Sequence, residues 1–588
     1  MFFDEVSGYY DRLENTSSRL SMVDILSELM SHAKSGEIRS LIYITQGMLA
    51  PPFEGMQIGI AEKFAESAIA TASGFSKEDV VSSFRKTGDL GLTAQEMIRK
   101  GKLRPLSKHH FEVNYVLESM RKIAGTSGTG SQDAKIRILV ELLASSTPLE
   151  ARYLIRFALG KLRLGAGDAT ILEALSKSYT GSRDAKADLE NAYNICSDLG
   201  KVGEVLSEKG MPGIKSLKVS LFEPIRPALA ERLPTAEQIL EKMKGKCAVE
   251  SKYDGLRAQV HIDRKKGRVH IFSRNLENLT EMFPDIAKAA LSEVSASNAI
   301  LEGEAISYDE ATGEFRPFQE TIQRKRKHGV EEKSQEMPVH LFAFDLMYYD
   351  EEDYLGKPYE ERRKKLESII KGNELIRLSD RIIATTPKQM DKYFEEAVEN
   401  GLEGIVAKDL NAPYVAGARK FSWIKLKRSY KGELSDTIDM VILGYYRGKG
   451  QRTEFGMGGL LAGVYNEKKD VFETLSKIGT GFSEKQMQDF SDLLKRSRLA
   501  RKPPRVEAII APDFWVEPEY VITVKADEIT RSPMHTCGKE GPEEPGYALR
   551  FPRLVSDGVR KDKKAEDATT TKEILEMFGQ QKKVKVDH

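Results

Sequence analysis

One lysine has neighbours that could make it a nucleophile. Lys252 lies two residues after Glu250 and is followed by Asp254-Gly255 and by Arg257. The reference pKa of a lysine amine is about 10.4, so roughly one molecule in a thousand is neutral at pH 7. A reactive lysine therefore needs nearby cations or burial to lower its pKa. The alternative interpretation of Lys-x-Asp-Gly-x-Arg is a surface turn between two strands.

Further short motifs with charged or aromatic residues follow Lys252 in the chain. They are Ser273-Arg274-Asn275, Glu302-Gly303-Glu304, Phe342 to Leu346, Glu403 to Lys408, and Trp423 to Arg428. In the last motif Lys425 and Lys427 alternate with apolar residues, so both ammonium groups would lie on one side of a strand. Any one of these charges, taken alone, is equally well explained by a solvated surface.

In this order the motifs resemble those of the covalent nucleotidyltransferases, and most closely those of the ATP-dependent DNA ligases of the archaeal and eukaryotic type. The resemblance extends to both flanks of the motifs. It implies that Lys252 is adenylated by ATP in the presence of Mg²⁺. It also implies that the AMP passes to the 5′-phosphate of nicked double-stranded DNA and that the strand is then sealed, in DNA replication, repair and recombination.

The resemblance also implies roles for individual residues. Glu250 would accept a hydrogen bond from the adenine amino group, and Glu302 would hold the ribose hydroxyls. Phe342 is favoured over Phe344 as the ring that stacks on adenine, and core packing is the alternative for both. Glu403 and Glu302 are the expected carboxylate ligands of Mg²⁺. The remaining nucleotide-binding positions, whose positive charges would face the phosphates, are Arg257, Arg274, Arg419, Lys425 and Lys427.

Composition limits the class of protein. With 40% hydrophobic and 30% charged residues, and no apolar run long enough to span a bilayer, we expect a cytoplasmic protein. The residues after Met1 show no signal-peptide pattern. Cys196, Cys247 and Cys537 are isolated, which argues against a disulfide framework and against a four-cysteine zinc site. The net charge of +1 means that any DNA-binding surface must come from local clusters of Lys and Arg.

The length of 588 residues predicts roughly three or four domains. Apolar residues at helical spacing run through the first part, strand-like alternation begins near Arg257, and short strands with glycine turns follow Ile438. The expected fold is therefore multidomain α+β. The resemblance to the ligase family implies what its parts are: an all-helical DNA-binding domain (1–225), an α+β nucleotidyltransferase or adenylation domain (226–430), and an OB-fold β-barrel with a C-terminal helix and a basic tail (431–588).

Three segments are candidates for contact with DNA. Arg163 lies where basic residues alternate with leucines and run into a turn of small residues, which could present N–H groups to a phosphate. The alternative there is an amphipathic helix with a glycine cap. Arg447 and Lys449 belong to a basic loop after a strand. The basic run from Arg324 to His328 fits a phosphate contact or a solvated surface equally well.

Partners and rival functions remain open at this level. We expect a monomer, and no clear sliding-clamp peptide is found around Lys108 to Phe111, so clamp binding stays open.

RNA ligases and mRNA-capping enzymes share the lysine motif but usually lack a long helical region before it. NAD-dependent DNA ligases carry a cysteine zinc module that this chain cannot build. A non-catalytic DNA-binding scaffold is the alternative from another class, and labelling with ATP would separate it from an enzyme.

The end of the chain resembles the last motif of the family. Leu549 to Arg553 and Arg560 to Lys563 form its two halves. The stretch between them is longer and less basic than the family pattern. Which arginine contacts the leaving pyrophosphate is therefore left open.

Overall fold

The computed structural model of the chain describes most of its residues. The described ranges are 1–101, 110–128, 130–309, 314–315, 339–371, 374–399, 402–427, 437–448, 456–526, 528–532, 534–541, 544–550 and 552–584.

The N-terminal part is helical, as its apolar spacing predicts. Its helices are α1 (Phe3–Glu14), α2 (Arg19–His32), α3 (Ser35–Gln46), α4 (Glu62–Ser73), α5 (Lys77–Thr87), α6 (Leu90–Arg99), α7 (Val113–Gly125), α8 (Ser131–Ser145), α9 (Pro148–Ala158), α10 (Asp168–Thr180), α11 (Lys186–Cys196) and α12 (Leu199–Lys215). Apolar faces from these helices form one buried cluster that runs from Phe3 to Ile214. The helical region is therefore held together by a single core of its own.

The middle part is an α+β unit. Its elements are β1 (Leu229–Arg232), α13 (Ala236–Lys242), β2 (Cys247–Lys252), β3 (Leu256–Asp263), β4 (Arg268–Ser273), α14 (Pro284–Glu293), β5 (Asn298–Asp309), β6 (Glu314–Phe315), β7 (Val339–Tyr349), β8 (Glu352–Asp353), α15 (Tyr359–Ile369), β9 (Ile376–Leu378), β10 (Arg381–Ala384), α16 (Pro387–Glu399), β11 (Gly404–Lys408) and β12 (Arg419–Lys427). The predicted antiparallel hairpin that ends at Ser273 is confirmed as β3 and β4.

Two sheets carry the motifs of the middle part. One has the strand order β4-β3-β5-β7-β8, with β6 paired to β5 and β9 paired to β7, and the other has the order β1-β12-β11-β2-β10. Side chains from both sheets meet in one apolar cluster that includes Ile300, Met347 and Trp423. Helices α13 and α16 cover the second sheet, since their buried residues pack with those of β2, β11 and β12. Residues of both sheets thus pack against each other.

The C-terminal part is rich in short strands. Its elements are β13 (Ile438–Tyr446), β14 (Gly459–Asn466), β15 (Val471–Ile478), α17 (Glu484–Arg496), β16 (Arg498–Leu499), β17 (Val506–Glu507), β18 (Phe514–Val516), β19 (Val521–Lys525), β20 (Glu528–Ser532), β21 (Gly546–Arg550), β22 (Arg553–Leu554) and α18 (Thr571–Val584). The predicted C-terminal helix is α18.

The predicted strand-rich C-terminal domain is confirmed, and it consists of mixed sheets rather than a closed barrel. The main sheet has the order β16-β18-β13-β14-β15-β17, with β19 paired to β13 and to β22, while β20 and β21 pair only with each other. β16 and β17 lie at the two ends of this strand order and are not paired with each other within the described part of the chain. The sheet is mixed, because β17 pairs in parallel with β15 whereas the other neighbours in this order are antiparallel.

Two further expectations concern the whole chain. In the ranges that the structure describes, no helix has the length and apolar character needed to cross a membrane. Cys196, Cys247 and Cys537 are buried and unpaired, as their isolated positions predict.

Candidate active site

The register of three neighbouring strands brings Lys252, Glu403 and Lys427 together. β11 lies between β2 and β12, and Gly404 at its start is paired with both Lys252 and Lys427. Gly404 has a φ of 143°, and a Cβ there would overlap the carbonyl oxygen of Leu426, so only glycine fits. The preceding Glu403 forms an ion pair with the amine of Lys252. Its carboxylate also lies 3.4 Å from Nζ of Lys427.

This ion pair controls the charge of the candidate nucleophile. Burial alone would lower the pKa of Lys252, but the Glu403 carboxylate outweighs it and raises that pKa above its usual value. Burial likewise opposes ionisation of Glu403, yet Lys252 and Lys427 hold its pKa well below the usual range. Lys252 is therefore an ammonium ion in the ligand-free protein. The lowered pKa that a reactive lysine needs is not present in this state.

Glu304 is a site residue that the sequence reasoning missed. Burial of its carboxyl group raises its pKa to about 7, while the positive charges of Lys252 and Arg257 act in the opposite direction. Glu304 therefore interacts electrostatically with Lys252, the candidate nucleophile. The signal was available in the motif Glu302-Gly303-Glu304, where both acids project from the same side of a strand, but only the first was assigned a role.

Both carboxylate oxygens of Glu302 accept hydrogen bonds from other side chains of the protein. Glu302 is 1% exposed; Arg257 Nε donates to one carboxylate oxygen at 2.9 Å and the Tyr414 hydroxyl donates to the other at 2.7 Å. Arg257 also donates from Nη1 to the carbonyl of Ala228 at 2.7 Å. Its Nη2 is buried and has no hydrogen-bond partner among the described residues. Arg257 thus keeps a donor that a bound phosphate or hydroxyl would satisfy.

The two candidate stacking rings have different surroundings. Phe342 is buried and lies nearly parallel to the ring of Tyr253, with 4.6 Å between the centroids. Phe344 is half-buried and meets Trp423 edge to face, with 5.9 Å between the centroids. The guanidinium carbon of Arg257 lies 5.6 Å from the centre of Phe344. The choice of Phe342 over Phe344 stays a prediction.

Two of the predicted phosphate-binding residues form ion pairs with a glutamate of the C-terminal helix. Arg419 Nη1 and Lys425 Nζ lie 2.9 Å and 2.8 Å from the same oxygen of Glu573 on α18. Burial lowers the pKa of Lys425 to about 8, although Glu573 opposes this effect. Arg274 Nη2 lies 3.6 Å from Asp567, just before that helix. Carboxylates of the chain itself therefore neutralise these cations in the ligand-free state.

The residues predicted to contact DNA are dispersed. Arg163 has a φ of 60° and its side chain is 7% exposed; Nη1 donates to Asp89 at 2.9 Å and to the carbonyl of Arg498 at 3.0 Å. It is thus enclosed between the helical part and the C-terminal part. Arg447 is exposed, with its guanidinium carbon 4.9 Å from the ring centre of Phe514. Lys449, the run from Arg324 to His328, and Lys108 lie outside the described residues.

Single carboxylates, rather than a cluster of ligands, are the candidate metal-binding groups of the site. Within the described ranges, no group of three or more His, Cys, Asp or Glu residues is arranged to hold a metal ion. Mg²⁺ does not require such a group, because it usually takes one or two carboxylates together with water and phosphate oxygens. The half-buried carboxylate of Glu403 fits that chemistry. Glu302 fits it less well, because both of its oxygens already accept hydrogen bonds.

Comparisons with known proteins cover nearly the whole chain. Three family models match it: DNA ligase N terminus over residues 2–176, ATP dependent DNA ligase domain over residues 227–427, and ATP dependent DNA ligase C terminal region over residues 453–563. A probable DNA ligase of Dictyoglomus turgidum is 47% identical over 588 residues, which cover 100% of this chain and 99% of the relative. A DNA ligase of Saccharolobus solfataricus is 42% identical over 598 aligned residues, with 100% and 99% covered.

Among solved structures, a mycobacterial DNA ligase D complexed with ATP and MES shares 24% identity and covers 58% of this chain and 97% of its own. The TM-score of this match is 0.33. The family models and the full-length relatives show the family. The chain belongs to the ATP-dependent DNA ligase family.

Proposed function

We propose that Lys252 is the residue at which this DNA ligase carries AMP while it seals a nick. The neutral amine attacks the α-phosphorus of ATP, so that a P–N bond forms, the bond to the bridging oxygen breaks and pyrophosphate leaves. The 5′-phosphate at the nick then takes the AMP from Lys252. Finally the adjacent 3′-hydroxyl attacks that phosphate, the phosphodiester forms and AMP leaves. The observation that supports this assignment most directly is the contact of Lys252 with Glu403 beside Lys427.

The surrounding cations suit a phosphoryl-transfer site. Such reactions depend mainly on positioning and on charge stabilisation. Arg419, Lys425 and Lys427 would face the phosphates, since they lie on one strand and two of them already bind a carboxylate. Arg257 would use its remaining N–H donor, and Arg274 would add positive charge. In this proposal the phosphates replace Glu573 and Asp567 as the anionic partners.

The nucleoside would be held by residues from both sheets. We assign the adenine amino group to Glu250, the ribose hydroxyls to Glu302 and the stacking ring to Phe342. Glu403 is the proposed ligand of Mg²⁺, with Glu302 as a second candidate. When bound there, the metal ion would offset the negative charge of the phosphates.

Nicked double-stranded DNA is the proposed partner, with Arg163, Arg447 and Lys449 among its contacts and with roles in replication, repair and recombination. Arg163 can reach DNA only after it leaves the enclosed position described above. We further propose a monomer, with sliding-clamp binding still open. A DNA-joining enzyme with three unpaired cysteines suits a reducing compartment that contains DNA, and the cytoplasm is our proposed location.

The proposal predicts a specific effect of Lys252→Ala on a duplex with one 5′-phosphorylated nick. With ATP and Mg²⁺, the wild type should join the strands, whereas the variant should lose roughly a thousandfold or more of that activity on a denaturing gel. The matched control is Lys246→Ala, which removes an exposed lysine of the same part of the chain. On a nick that already carries AMP, Lys252→Ala should still seal. If wild type and Lys252→Ala join the nicked strands equally well when ATP is supplied, the assignment of Lys252 is overturned.

A second prediction concerns pH. Because Glu403 raises the pKa of Lys252 in the ligand-free protein and only the neutral amine reacts, the rate of enzyme–AMP formation at subsaturating ATP, which reports the free enzyme, should increase with pH. Below the pKa, the neutral fraction increases about tenfold per pH unit. Single-turnover labelling across the neutral and alkaline range measures this rate. Sealing of a pre-adenylated nick, which does not need the neutral amine, should depend less on pH. A flat profile for enzyme–AMP formation would contradict the proposal.

A third prediction concerns the carboxylate on α18. Glu573→Gln keeps the side-chain size but removes the charge that pairs with Arg419 and Lys425. The KM for ATP in enzyme–AMP formation should fall by about three- to tenfold, which corresponds to the loss of a competitor worth ~1 kcal/mol. Glu540→Gln, at an exposed position of the same part of the chain, is the control. An unchanged or higher KM would mean that Glu573 does not compete with the nucleotide.

A further inference from the structure

A buried lysine next to the proposed base-binding residue has no role in the mechanism above. Lys408 ends β11 and is 1% exposed. Its Nζ lies 2.8 Å from one carboxylate oxygen of Glu250 and donates to the carbonyl oxygen of Phe344 at 3.2 Å. A buried ammonium group is costly unless it is paired and hydrogen-bonded. Lys408 therefore links Glu250 on β2 to the backbone of β7, which belongs to the opposite sheet.

Three aromatic rings surround the ammonium group of Lys408. Its Nζ lies 4.3 Å from the centre of a Trp423 ring, 4.6 Å from that of Phe344 and 5.1 Å from that of Tyr359. Ring faces attract a cation at these distances, and more strongly when water is excluded. The rings thus fix the position of the ammonium group and with it the position of the Glu250 oxygen to which it binds.

The other oxygen of Glu250 is fixed from α15. It accepts a hydrogen bond from the Tyr359 hydroxyl and lies 3.4 Å from Nη1 of Arg363. Arg363 is itself anchored, because Nη2 donates to the carbonyl oxygen of Ser379 at 2.7 Å. Glu250 is 2% exposed. An ionised carboxylate has about four acceptor positions, so these three partners leave one position for a further donor.

We propose that Lys408 is a positioning residue that, together with Tyr359 and Arg363, holds Glu250 so that its remaining acceptor position selects a purine with a 6-amino group. This inference rests on the proposed contact between Glu250 and adenine. A 6-amino group donates to that oxygen, whereas the 6-oxo group of guanine would place an acceptor against it. Lys408 would thus set nucleotide specificity without touching the nucleotide.

The test compares nucleotides that differ at the purine 6-position; ATP and purine riboside triphosphate differ there alone, whereas GTP also carries a 2-amino group. Wild type and Lys408→Met are assayed for enzyme–AMP formation, or the analogous enzyme–nucleotide adduct, with ATP, with purine riboside triphosphate, which lacks the 6-amino group, and with GTP. Wild type should show a KM for ATP about tenfold or more below that for purine riboside triphosphate, because a buried acceptor left unpaired is costly.

In Lys408→Met the KM for ATP should increase about tenfold, while the KM for purine riboside triphosphate should change less than about threefold, since that nucleotide makes no such hydrogen bond. The kcat values should stay within about threefold, because the reacting atoms are untouched. GTP should remain the poorest substrate of the wild type and approach ATP in the variant. A merely structural role of Lys408 would raise both KM values equally.

Two further variants keep the test decisive. Lys364→Met makes the same substitution at an exposed position of α15 and should leave all three KM values unchanged. If Lys408→Met does not fold, Tyr359→Phe removes a donor to Glu250 but keeps the ring, and it should reduce the preference for ATP in the same direction.

The outcomes separate the two proposals. If wild type forms the adduct and Lys408→Met raises the KM values for ATP and for purine riboside triphosphate by the same factor, the proposed role of Lys408 is overturned. It is also overturned if wild type does not distinguish these two nucleotides. Absence of any adduct from wild type with every nucleotide would instead overturn the proposed function of Lys252.

Discussion

The ion pair between Lys252 and Glu403 is the interaction on which the proposed active site of this ligase depends. It exists because β11 is paired on both sides, with Gly404 beside Lys252 and beside Lys427. The same carboxylate that positions the lysine also keeps it protonated, since Glu403 raises the pKa of Lys252. Under our proposal, the charge of Glu403 must therefore be offset when substrate is present, so that Lys252 can lose its proton.

In the ligand-free protein, the cations that we propose as phosphate-binding residues are paired with carboxylates of the chain itself. Glu573 binds Arg419 and Lys425, and Asp567 lies beside Arg274. Buried or half-buried charges without partners are costly, so such pairing is expected when the phosphates are absent. Under our proposal, the phosphates of ATP replace Glu573 and Asp567 as partners of these cations. The affinity for ATP then reflects the difference in free energy between the pairing with phosphates and the pairing with these carboxylates.

The sequence predicted the parts of the site that follow from local patterns. Alternation of apolar and polar residues places Lys425 and Lys427 on one strand face, and the β3–β4 hairpin follows from the same alternation. The partnership of Lys425 with Glu573 could not be predicted, because the two residues are 148 positions apart and only the domain arrangement joins them. The shortest strands of the C-terminal sheet, such as the two-residue β16 and β17, could not be predicted individually, since they carry no periodicity.

The most direct measurement is to locate the covalently bound AMP. The folded protein is incubated with ATP and Mg²⁺, digested under alkaline conditions that spare a phosphoramidate, and analysed by mass spectrometry. Lys425 is the chemical competitor, because burial lowers its pKa to about 8 whereas that of Lys252 is raised. We expect AMP on Lys252 alone. AMP on Lys425, or no adduct on any lysine, would contradict this expectation.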